Sequence, residues 1–134
     1  MLISSSDRFL RNVLLLDAAT CAACGLPMTL AALPFGALAN LPPELLLYAG
    51  LSLFPIAAFF AWVALKALDS AAALTLVIVG NLAWAAASLW LLVGGAISPN
   101  AIGRVFIGAQ AAVVLALTAC EVRGALGGGR VARV

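Results

Sequence analysis

Four apolar stretches, 9–33, 45–65, 71–93 and 101–121, fill most of the 134-residue chain. A helix of about 20 residues crosses roughly 30 Å of hydrocarbon, and each stretch reaches that length. Hydrocarbon offers no water to backbone N–H and C=O groups, so a spanning segment has to be a helix or part of a closed barrel. A barrel needs short strands of alternating polarity, and the sequence has none. Composition agrees: 66% of the residues are hydrophobic and 9% are charged. So few polar side chains could not cover a soluble globule, and a disordered chain would be polar and highly charged. The sequence predicts an all-α integral membrane protein.

The residues between the stretches predict how they connect. Pro34, Asn40, Pro42 and Pro43 separate the first two. Pro42-Pro43-Glu44 reads as a helix start, with proline in the first turn and an acid at the positive end of the dipole. Asp69-Ser70 offers an N-cap for the third helix, Gly94-Gly95 ends it, and Ser98-Pro99 opens the fourth. Connections this short make neighbouring helices antiparallel, which gives a four-transmembrane-helix bundle over residues 1–123. Residues 124–134, rich in Gly and Arg, read as a flexible cytoplasmic tail. Its glycine run is no phosphate loop, since no strand leads into it.

Basic residues set the orientation. With a cytoplasmic N-terminus, Arg8, Arg11, Lys66, Arg123, Arg130 and Arg133 fall inside and only Arg104 outside, as the positive-inside rule requires. Both termini are therefore expected in the cytoplasm, and the setting in a bacterial inner membrane, multi-pass. Arg8, Arg11 and the run ending in Ala37-Leu38-Ala39 also resemble a secretory signal. The apolar stretch is longer than a signal's and contains Asp17, which favours a retained span.

Several chemistries are excluded or weakened. There is no histidine, hence no histidine base, nucleophile pair, or histidine-held metal or haem. Three cysteines cannot make a four-thiolate zinc site. Cys21-Ala22-Ala23-Cys24 has the CxxC spacing, but redox motifs of that kind accompany a strand–helix unit, and these cysteines lie inside an apolar helix. They read as small packing residues. Thin, scattered charge leaves no footprint for nucleic acid. No cofactor, no metal and no enzymatic constellation is expected.

One band of polar residues stands out. At 1.5 Å per residue Asp17 lies about 12 Å from the cytoplasmic edge, Asn81 about 15 Å and Gln110 about 18 Å. Trp84 is one turn beyond Asn81 on the same face. Ionisable groups in a bilayer face the bundle interior, so Asp17, Asn81, Trp84 and Gln110 form a candidate intramembrane polar site. It is either a hydrogen-bonded staple that fixes helix register or a site for a small ligand or a proton. Inward stripes are predicted as Asp17, Thr20, Cys21 and Cys24; Tyr48, Ser52, Pro55, Phe59, Trp62 and Lys66; Asn81, Trp84 and Ser88; and Gln110, Val114, Leu117 and Glu121. Lys66, Glu121 and Arg11, with Arg123, are placed at the cytoplasmic edge, as a solvated ring or as a gate closed by Glu121 and a base. Pro27 and Pro55 should kink their helices.

Leu14-Leu15-Leu16-Asp17-Ala18, the stretch from Leu41-Pro42 to Pro55, Asn81-Leu82-Ala83-Trp84 with Ser88, and Ala109-Gln110-Ala111 with Glu121 carry a resemblance over most of the chain. The pattern resembles a widespread, uncharacterised family of small bacterial four-helix integral membrane proteins. That resemblance implies a fold and a set of polar positions, and no reaction. The functional expectation is a non-enzymatic accessory subunit, scaffold or lipid-like ligand-binding module. The alternative is a small proton-coupled transporter using Asp17. Expected partners are membrane lipid, and a second copy of the chain or a larger membrane complex.

Overall fold

The computed structural model describes residues 4–129. It is all-α: α1 (Ser5–Leu30), α2 (Ala32–Ala39), α3 (Pro43–Lys66), α4 (Ala71–Val93) and α5 (Ala101–Gly127). The four long helices are each long and apolar enough to cross a membrane. They form an antiparallel bundle in which α1 packs against α3 and α5, and α5 against α4. The fourth side of the ring is different. Only residues 67–70 join α3 to α4, yet the two helices barely touch. The bundle has three closed seams and one open seam.

Small residues explain the tightest seam. Without a hydrophobic drive between helices in lipid, close packing at small side chains holds them together. A Cβ on Gly25 would meet the Gly50 carbonyl oxygen, and one on Gly50 would collide with Thr29 and Met28. At the α3–α4 seam, by contrast, nothing lies within 4 Å of a Cβ built on Gly80.

Local chemistry sets the helix ends. Ser4 caps α1 in a reciprocal box with Asp7, Ser70 accepts from the Ala73 N–H at 3.2 Å, and Asn100 accepts from the Gly103 N–H at 3.1 Å. The start of α5 is thus set by Asn100 rather than by Ser98-Pro99. The first apolar stretch is two helices, not one. Pro34 has no N–H for the Leu30 carbonyl and its ring crowds that turn, so α1 stops at Leu30 and α2 restarts with Pro34 in its first turn. α2 lies across the end of the bundle, where Phe35 meets Phe106 edge to face at 4.8 Å. Asn100 Nδ2 donates to the Leu38 carbonyl at 2.7 Å, and Asn40 Nδ2 to that of Ser98. These two asparagines clamp the loops together.

At the opposite end α5 runs beyond the expected boundary. Gly124 and Ala125 are buried in its last turns, because Gly124 lets the helix approach Phe9 and Leu10 of α1. The part of the expected tail up to Gly127 is therefore helix; residues 130–134, with Arg130 and Arg133, lie outside the described residues. Ser6 and Gly127 are close neighbours, so the starts of α1 and the end of α5 share one end of the bundle. Arg8, Arg11, Lys66 and Arg123 lie at that end, and Arg104 at the other.

The predicted inward stripe of the second span is corrected. Tyr48 is 70% exposed and Trp62 51%, and Pro55 and Lys66 are exposed too. The buried face of α3 is Leu46, Gly50, Leu53, Phe60, Val63 and Ala64. Gly50 marks it, since a Cβ there would collide with Thr29 and Met28 of α1.

Candidate functional site

Three buried polar side chains meet in the interior. Asn81 Nδ2 on α4 donates to Asp17 Oδ2 on α1 at 2.7 Å and to Glu121 Oε2 on α5 at 3.2 Å. Asp17 and Glu121 are each 1% exposed. The Cys21 thiol donates weakly to Asp17 Oδ1 at 3.8 Å. Glu121 Oε1 is buried with no partner. Among the described residues no basic side chain is one of these partners: Arg11 Nε donates instead to the Ala64 carbonyl at 3.2 Å, and Lys66 and Arg123 are exposed. Two carboxyls converging on one amide in an apolar interior repel each other strongly if both are charged. The arrangement calls for a shared proton or an incoming positive charge.

Two members of the expected band meet. Asp17 and Asn81 bond directly, but the third member is Glu121, not Gln110. Reading the fourth span as ending at Glu121 put that residue at the cytoplasmic edge. The helix continues to Gly127, which draws Glu121 inside and removes it from the ring of Lys66 and Arg11. Gln110 is eleven residues further along α5, about 16 Å away at the helical rise, and takes no part in these bonds.

A cleft of about 560 Å³ opens beside this group, at the seam that α3 and α4 leave unclosed. Asp17, Cys21 and Asn81 line it beside the bonded group, and Cys24, Trp84, Phe106 and Gln110 line it further along the helices. The remaining lining is almost wholly apolar, and Gly80 forms part of the α4 wall. Trp84, Phe106 and Gln110 also line a second cavity of about 160 Å³ that continues toward Leu41 and Leu45. These three side chains form a partition between the two spaces. The Trp84 indole N–H is buried there without a partner. Cys21 and Cys24 are free thiols.

Sequence reasoning had Trp84 and Gln110 as members of a polar cluster. The structure makes them walls of a cavity whose polar end is the Asp17–Asn81–Glu121 group. The missed signal was the i, i+3 relation of Glu121 to Gly124, a small residue that marks a helix contact.

No known protein family, curated protein or solved structure matches this chain.

Proposed function

We propose that the protein is a non-enzymatic membrane module that holds one small lipid-like molecule in the cleft between α3 and α4. The observation that carries this reading is the open seam. Membrane helices joined by a short loop normally pack together, and here the space between them is an apolar cavity of about 560 Å³. Binding sites for small molecules have this size, with apolar walls and a few placed polar groups. In a bilayer the seam faces acyl chains, so the ligand enters sideways. The distribution of basic residues supports cytoplasmic termini in a bacterial inner membrane.

A second reading rests on Glu121. A second buried acid beside Asp17, with one oxygen unpartnered, favours a proton-coupled carrier over a simple staple, since proton relays in membranes use such pairs.

Mass spectrometry of the protein released intact from lipid nanodiscs tests the main reading. The expected result is one retained lipophilic molecule per chain, lost in Gly80→Trp, whose side chain fills the cleft. Equal retention by both proteins, or by neither, contradicts it.

A further inference from the structure

We infer that the ligand of the cleft is a lipophilic cation: a bulky, mostly apolar molecule carrying one positive charge. This rests on the reading of the cleft as a ligand site and specifies the ligand's class.

The first observation is charge. Asp17 lines the cleft and Glu121 stands behind it through their common partner Asn81. The Glu121 side chain, 1% exposed, has one oxygen with no partner. Among the described residues no lysine or arginine lines the cleft. The described cations at this end are engaged at a carbonyl, as Arg11 is, or exposed, as Lys66 and Arg123 are. Among the described residues, therefore, the acidic end of the cavity has no basic counter-charge beside it. A cationic centre need not touch the carboxylate, because attraction through apolar surroundings acts over several ångströms.

The second observation is the wall. Phe59, Phe60, Trp84 and Phe106 line the cleft. Aromatic rings attract cations held within about 6 Å, most strongly where water is excluded. The third is access. The opening lies along two apolar helices, and a strongly hydrated ion does not reach it from hydrocarbon. With one proton shared between the two acids, a neutral lipid would fill the walls but leave the remaining negative charge unbalanced, and an anionic amphiphile would be repelled.

Calorimetry on the purified full chain in detergent tests this with two probes of the same shape and opposite charge, tetraphenylphosphonium and tetraphenylborate. The phosphonium is expected to bind one per chain and the borate not to bind. Asp17→Asn should weaken phosphonium binding by about 30-fold or more, the loss typical of removing one partner of a buried charge pair. Glu121→Gln should weaken it in the same direction. Phe59→Leu, which leaves the polar group intact, should cost about threefold. Size-exclusion profiles and melting curves report that each variant is folded. Equal binding of both probes, or phosphonium binding that survives both Asp17→Asn and Glu121→Gln, overturns the inference. If the phosphonium fails to bind while brominated acyl chains still quench Trp84, the ligand is not cationic and the cleft remains a ligand site. If neither enters, the ligand reading falls as well.

Discussion

Asn81 of α4 donates to Asp17 of α1 across the diagonal of the bundle, at 2.7 Å, although the two helices do not pack against each other. α4 otherwise rests on α5. α5 carries it to α1 indirectly, and this amide is the side-chain bond that ties α4 to α1 directly. Removing the donor loses two hydrogen bonds and leaves Asp17 with only the weak Cys21 thiol contact.

Asn81→Leu is accordingly expected to destabilise the protein by roughly 2–4 kcal/mol, from lost membrane hydrogen bonds and unsatisfied acceptors. Gln110→Leu, outside the bonded group, should cost under about 1 kcal/mol. Paired melting curves in detergent check the contrast. A Gln110 variant as unstable as the Asn81 variant would contradict the assignment of Glu121 as third member.

Asp17→Asn separates the two roles of the acid. The amide keeps size and hydrogen bonding, so the fold should survive, with a loss of no more than about 1–2 kcal/mol. If Asp17 carries a proton or opposes a ligand's charge, pH-dependent uptake or ligand binding disappears in the same folded variant. A ligand response identical to that of the parent protein would leave Asp17 a staple only.

The two glycines of the α1–α3 seam and the glycine of the open seam predict opposite outcomes. Gly50→Leu would drive a side chain into Met28 and Thr29, and overpacking of that kind costs about 1–3 kcal/mol or more. A Cβ on Gly80 meets nothing within 4 Å, and leucine there replaces a weak helix former, so stability should hold or rise by about 0.5–1 kcal/mol. Thermal unfolding of both variants in one detergent reads the difference. A destabilised Gly80→Leu would mean that the seam is closed.

Cys21 and Cys24 are free thiols, the first buried and the second half-buried. Replacing both with alanine should leave expression and melting temperature nearly unchanged, apart from the weak thiol contact to Asp17. Loss of folded protein confined to oxidising conditions would instead support a redox role.

The architecture was legible because four long apolar runs leave few alternatives. Which face of each helix points inward was much less so. In a soluble bundle the outer face is polar and periodicity finds the core. Here lipid-facing residues such as Leu65, Val79 and Val105 are as apolar as the core, and aromatic or polar positions such as Tyr48 and Trp62 turn outward. The reliable markers are small residues at contacts. Gly50 and Gly124 assign the inner faces of α3 and α5, and with them the position of Glu121. Pro34 was visible as punctuation, but its effect fell four residues upstream, at the carbonyl it cannot serve, which is why one expected helix became α1 and α2.

The central claim is that the α3–α4 cleft admits a lipophilic molecule from the bilayer. Trp84 lines that cleft, whereas Trp62 and Trp90 are exposed. With Trp62→Phe and Trp90→Phe in place, Trp84 is the single reporter. Its fluorescence in vesicles of brominated phospholipid should be strongly quenched, and adding Gly80→Leu should restore most of the emission by filling the cleft. Emission that is unquenched at the start, or quenched equally with and without Gly80→Leu, would contradict the account.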